Sequence, residues 1–148
     1  MNHEIEKALS RFNEGFNCAQ ALLAAFAPRF GISEEDALKL AAPFGGGMAR
    51  MGEVCGAVSG AMMALGLRHG YCRRGDKRAK EACYRTANRF ANAFRARCGS
   101  IMCRDLLGCD ISTPQGMAEA REKRLIITVC AVAVREAAEI VSELLGQD

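Results

Sequence analysis

Sulfur is the chemistry this chain is equipped for. It carries eight cysteines, and three of them stand where helices are expected to begin. Cys18 follows the cap residue Asn17, Cys55 follows a glycine-rich entry, and Cys103 comes shortly after Ser100. Backbone N–H groups at a helix N-terminus favour a thiolate over a thiol, and the thiolate is the form that attacks disulfides and binds metals. The pattern predicts redox or metal-binding sulfur. From Gly45-Gly46-Gly47 through Gly52 to Gly56, small residues bring backbone close to the Cys55 thiol on both sides. Gly46, Gly47, Gly52 and Gly56 are therefore candidate cofactor contacts, offering N–H donors without bulk. The same glycines would equally serve tight helix packing.

The other cysteines divide by position. Cys83 and Cys130 sit on apolar helical stripes, where a cysteine acts as a small hydrophobe. Cys72 belongs to a basic loop and Cys98 to a helix end. Cys98, Cys103 and Cys109 form C-x4-C-x5-C, which matches neither a zinc ribbon nor a ferredoxin spacing. There is no C-x-x-C pair, hence no thioredoxin-type motif and no covalent haem attachment. Any site must be assembled from separate elements.

Those elements read as helices. Alanine is abundant, β-branched residues are sparse, and apolar positions recur at helical spacing. The spacing predicts an all-α, single-domain bundle over 1–148, with helices at His3–Asn13, from Asn17 to near Pro28, and from Ser33 to before Pro43. Ser33 with Glu34, Glu35 and Asp36 reads as a cap and acidic first turn. The segment from Val54 to Leu67 is apolar all round and predicts the central Gly/Ala-rich helix, with Gly56 and Gly60 admitting a close neighbour. Asp76 caps a long helix bearing Ala79, Cys83, Thr86, Phe90 and Phe94. Ser100–Leu107 is short, Thr113-Pro114 opens another helix, and Leu125–Leu145 closes the chain with the stripe Ile126, Cys130, Ala133, Ala137, Ile140 and Leu144.

Four stretches together resemble a known family: Asn17-Cys18-Ala19-Gln20, the Gly45-Gly46-Gly47 loop, Cys55-Gly56-Ala57-Val58-Ser59-Gly60, and Cys103-Arg104-Asp105-Leu106-Leu107-Gly108. The chain resembles the C_GCAxxG_C_C family of redox-active proteins from Phe16 through the final helix. The resemblance implies that Cys18, Cys55, Cys103 and Cys130 are the family's cysteines, with Cys109 a frequent companion. It thereby moves Cys130 from core to site. The family is also similar to a region of split-Soret cytochrome c, where an iron–sulfur cluster accompanies haem. This chain has no haem-attachment motif, so only the cluster carries over.

Competing chemistries find little support. His3 and His69 are the only histidines, one near a terminus and the other in a loop. Six Lys and Arg between Arg68 and Lys80 read as a solvated face, and a net charge of +3 does not imply nucleic acid. No P-loop or dinucleotide fingerprint is present. Met1–Ser10 is polar and charged, unlike a signal peptide, and the longest apolar run is too short to span a bilayer. The expectation is a cytoplasmic protein that binds neither membrane nor nucleic acid, serves an unidentified redox partner, and is compatible with a homo-oligomer. Its leading reading is an iron–sulfur cluster held by Cys18, Cys55, Cys103, Cys109 and Cys130 for electron transfer. Metal-free thiol–disulfide exchange, with Cys55 attacking and Cys18 assisting, is the alternative. A structural zinc site is the third.

Overall fold

In the computed structural model, which describes residues 2–146, the chain forms eight α-helices and two 3-10 turns. The helices are α1 (Asn2–Asn13), α2 (Cys18–Phe26), α3 (Glu34–Ala41), α4 (Gly56–His69), α5 (Lys77–Cys98), α6 (Cys103–Leu107), α7 (Pro114–Glu122) and α8 (Leu125–Gly146). Local chemistry explains four of the eight starts. The side chains of Asn17, Ser33, Asp76 and Thr113 each accept from the backbone N–H three residues on. At Asn17 the Gln20 side chain reciprocates, closing a capping box.

The all-α reading holds, with two adjustments at the sulfur-bearing ends. Helix α4 starts at Gly56 rather than Val54, leaving Cys55 as its cap residue. Helix α6 shrinks to five residues, because Ser100 turns its hydroxyl to Asp105 and to the Met102 N–H instead of entering the helix.

Eight of the nine α2 residues are buried, so α2 and α4 share the centre of the bundle. Their contact depends on Gly60. A Cβ there would lie 2.7 Å from the Ala19 carbonyl oxygen and 2.9 Å from Leu22 Cβ, so only glycine lets the two backbones meet. Around this pair α1, α3, α5 and α8 pack Ala8, Ala37, Phe90, Phe94, Val134 and Ile140 into one apolar core. Cys103, Leu107, Ile111 and Ala120 form a smaller cluster under α6 and α7. Helix α8 spans both: Leu125 and Val129 touch the small cluster, and Ala133 onward joins the main core.

Among the described residues no helix is long and apolar enough to cross a membrane. Ten of the twenty Lys and Arg and two of the seventeen Asp and Glu fall in 68–97, so that stretch carries +8 and the rest of the chain −5.

Candidate functional site: four cysteines around one cavity

The segment between α3 and α4 is built for close approach rather than for helix. Gly46, Gly47, Met48, Ala49 and Arg50 all have positive φ, between 49° and 69°, forming a left-handed coil. Three of these are not glycine, and each costs about 1–2 kcal/mol in that region. Backbone hydrogen bonds offset this, including Ala49 N–H to Pro43 O at 2.8 Å, Gly52 N–H to Gly46 O at 3.1 Å and Glu53 N–H to Gly47 O at 2.9 Å. The coil then zips onto the strand-like entry to α6. Cys55 N–H donates to Ile101 O at 2.8 Å, Cys103 N–H donates to Glu53 O at 2.7 Å, and Val54 faces Met102 in an antiparallel bridge. Arg104 locks the junction, donating to Gly52 O at 3.0 Å and to the Glu53 carboxylate at 2.9 Å.

This zipper places Cys55 beside Cys103. Cys18, on the first turn of α2, is held against the same region by Asn17, which donates to Ala42 O at 3.0 Å. Cys130 arrives from the second turn of α8. The four line a single open cavity of about 810 Å³. Cys18, Cys55 and Cys103 are 8%, 5% and 7% exposed, so they form its floor. Gly46, Gly47 and Gly56 also line it, and Gly47 is indispensable to the packing: a Cβ there would sit 2.7 Å from Cys103 Cβ.

Gly52 and Cys109 stand apart from the cavity lining. Gly52 is buried, but it serves the Arg104 junction. Cys109 is half-buried at the edge of the small cluster, beside Glu119. Cys72 is exposed, while Cys83 and Cys98 are half-buried on other elements. Sequence pattern missed Arg50, Phe12, Phe16 and Ile127 as cavity residues. The unbroken run of small residues from Gly45 to Gly47 was the one available signal for the coil.

Burial reverses the expected electrostatics. The Cys55 thiol is pushed up from 9.0 to about 12, chiefly by burial, against which the Ala57 and Val58 N–H groups pull weakly. Cys103 is pushed up to about 11, again mainly by burial, with the neighbouring sulfurs adding to it. This direction runs against the helix-start expectation of a ready thiolate at Cys55, because loss of solvation outweighs a few backbone dipoles. Cys18 is also raised, primarily by its hydrogen bond to Cys130, whereas Cys130 is lowered by that same bond. Both directions follow if the Cys18 S–H donates to Cys130, so this pair's first negative charge settles on Cys130, the less enclosed sulfur.

The three buried thiols, Cys18, Cys55 and Cys103, resist ionisation while Cys130 takes the first negative charge; a multivalent cation would stabilise all four as thiolates. The donor set suits an iron–sulfur cluster, whose four-iron form takes one cysteine on each iron and whose two-iron form takes two. A tetrahedral zinc is more demanding, since Zn–S bonds of about 2.3 Å require all four sulfurs within about 3.8 Å of one another. Among the described residues no three Cys, His, Asp or Glu side chains are grouped closely enough to hold one metal ion as they stand.

Comparison with curated proteins and with solved structures finds no similar chain. A family model does match, over residues 16–144, and takes in all four cavity cysteines. The chain belongs to the C_GCAxxG_C_C family, described as "Putative redox-active protein".

Proposed function

We propose that this redox-active chain holds an iron–sulfur cluster on Cys18, Cys55, Cys103 and Cys130 and uses it for electron transfer. The supporting observation is that these four cysteines, from four separate segments, converge on one cavity while each buried thiol is disfavoured as a free thiolate. A bound cluster would supply one-electron chemistry at a potential set by burial and hydrogen bonding to its sulfurs. The chain's own contribution is to withhold bulk water from three of the sulfurs and to fix two of them through the 53–55 and 101–103 zipper.

The test is anaerobic purification, or reconstitution with iron and sulfide, followed by metal and acid-labile sulfide analysis. Brown protein with iron and sulfide in near-equal amounts is expected. Cys55→Ala and Cys130→Ala should lose the colour, while Cys83→Ala, half-buried on α5, should keep it. Colourless protein after reconstitution would sink the cluster, and stoichiometric zinc would put the structural site in its place.

The Cys18–Cys130 hydrogen bond favours a second reading, thiol–disulfide exchange. Here Cys130 attacks a disulfide substrate, Cys18 resolves the mixed disulfide, and the two thiols pass two electrons and two protons to the substrate's sulfurs. Cys55 is unsuited to attack because burial keeps it protonated. Loss of two titratable thiols on treatment with a disulfide in metal-free protein, abolished in Cys130→Ala, would mark this route.

A further inference from the structure

The sulfur floor takes up only part of the cavity; its mouth has a different character. Phe12, Phe16, Ile126 and Ile127 line it, and Ile126 and Ile127 are 36% and 59% exposed at the start of α8. Apolar surface left open around a cavity of this size is characteristic of small-molecule sites. The one charged residue among those lining it is Arg50. Arg50 makes no ion pair among the described residues, although Arg11, Arg29, Arg97 and Arg104 are all paired with carboxylates.

Arg50 is also held there at a cost. It ends the left-handed coil at φ 67°, and Gly46 makes room for it: a Cβ on Gly46 would lie 2.9 Å from Arg50 Cα and 3.0 Å from its Cγ. A strained non-glycine residue over a cavity points to a positional role.

We propose that the mouth binds an apolar small molecule ending in a single anionic group, the anion on Arg50 and the apolar body against Phe12, Phe16 and Ile127. This names the class of molecule that approaches the sulfurs, and in that sense it rests on the redox reading of the floor. Binding itself needs no metal, so the two are tested apart.

Anilinonaphthalene sulfonate and its uncharged analogue phenylnaphthylamine separate the two halves of the site. Both are titrated by fluorescence into reduced, metal-free full-length protein, and again into iron-loaded protein if loading succeeds. Both should bind. Arg50→Ala should weaken the sulfonate about tenfold, the worth of one charge-assisted contact, and leave the uncharged probe unchanged. Ile127→Asp, at an exposed position, should weaken both. Arg73→Ala serves as control, since Arg73 lies in the basic α4–α5 loop and outside the cavity lining. Its sulfonate affinity should match the parent. Absence of binding by either probe, equal losses in Arg50→Ala and Arg73→Ala, or loss of the uncharged probe in Arg50→Ala would each overturn the proposal. A protein that binds both probes as expected but never takes up iron would overturn the cluster alone.

Discussion

At the scale of single residues, the informative contrast is between a cysteine's place in sequence and the solvent around it. Cys55 caps α4 and faces backbone N–H groups, yet burial raises its thiol from 9.0 to about 12. A raised folded-state value means that the folded chain keeps a proton the unfolded chain has released. This contribution is intact below pH about 9 and is lost as pH climbs towards 12. Metal-free protein should therefore lose stability between pH 9 and 10, by up to about 1.4 kcal/mol per pH unit for each such thiol. Cys55→Ala should flatten this slope relative to the parent, which also carries the raised Cys103. Urea unfolding of the two reduced proteins across pH 8–10 reads it directly. Equal slopes in parent and variant would show that burial does not control the Cys55 proton.

Among elements, the close approach of α2 and α4 carries the fold's tightest constraint. Gly60→Ala would press a methyl into the Ala19 carbonyl and Leu22, forcing the helices apart at a cost of about 1–3 kcal/mol. Gly66 lies on the same helix with nothing within 4 Å of where a Cβ would stand. Gly66→Ala should instead stabilise by up to about 1 kcal/mol through helix propensity. Opposite shifts in melting temperature are expected, and same-sign shifts would remove the packing account. The elements were legible where their cause is local. Asn17, Ser33, Asp76 and Thr113 announce helices because each cap bonds three residues ahead. The coil at 46–50 and the Val54–Met102 bridge were not, because their partners lie elsewhere: Cys55 N–H finds its acceptor in Ile101. Cys130 shows the same limit. Periodicity assigns it to the core, and the stripe is real, but at that turn of α8 the opposite wall is a cavity. Ile126, one turn earlier, is exposed for the same reason.

Across the whole molecule, the helices around the buried α2 are tied by ion pairs as well as by apolar packing. Glu4, nearly buried on α1, pairs with Arg29 beyond the end of α2. Arg97 at the end of α5 reaches Glu136, Glu139 and Glu143 along α8. Glu34, in the first turn of α3, meets Arg11 and Lys7 of α1, so a polar clasp links two helices that both pack on α2. The Arg11 hydrogen bond, with the nearby Lys7 charge adding to it, holds the Glu34 carboxyl below its ordinary 4.5 against the opposing effect of burial. Its position in the first turn of α3 adds a favourable interaction with the helix dipole. A depressed carboxyl stabilises the fold above the unfolded value and ceases to do so as pH falls through the folded one. Glu34→Gln should thus melt below the parent at pH 7, by about 2 °C given the clasp's partial exposure. The gap should persist down to pH near 4.5 and close below it, as the parent's carboxylate takes up its proton. Thermal melts of both proteins from pH 7 to pH 3 measure this. A gap that stays constant to pH 3 would mean that Glu34 contributes through shape and hydrogen bonding, and that its charge does not clasp α1 to α3.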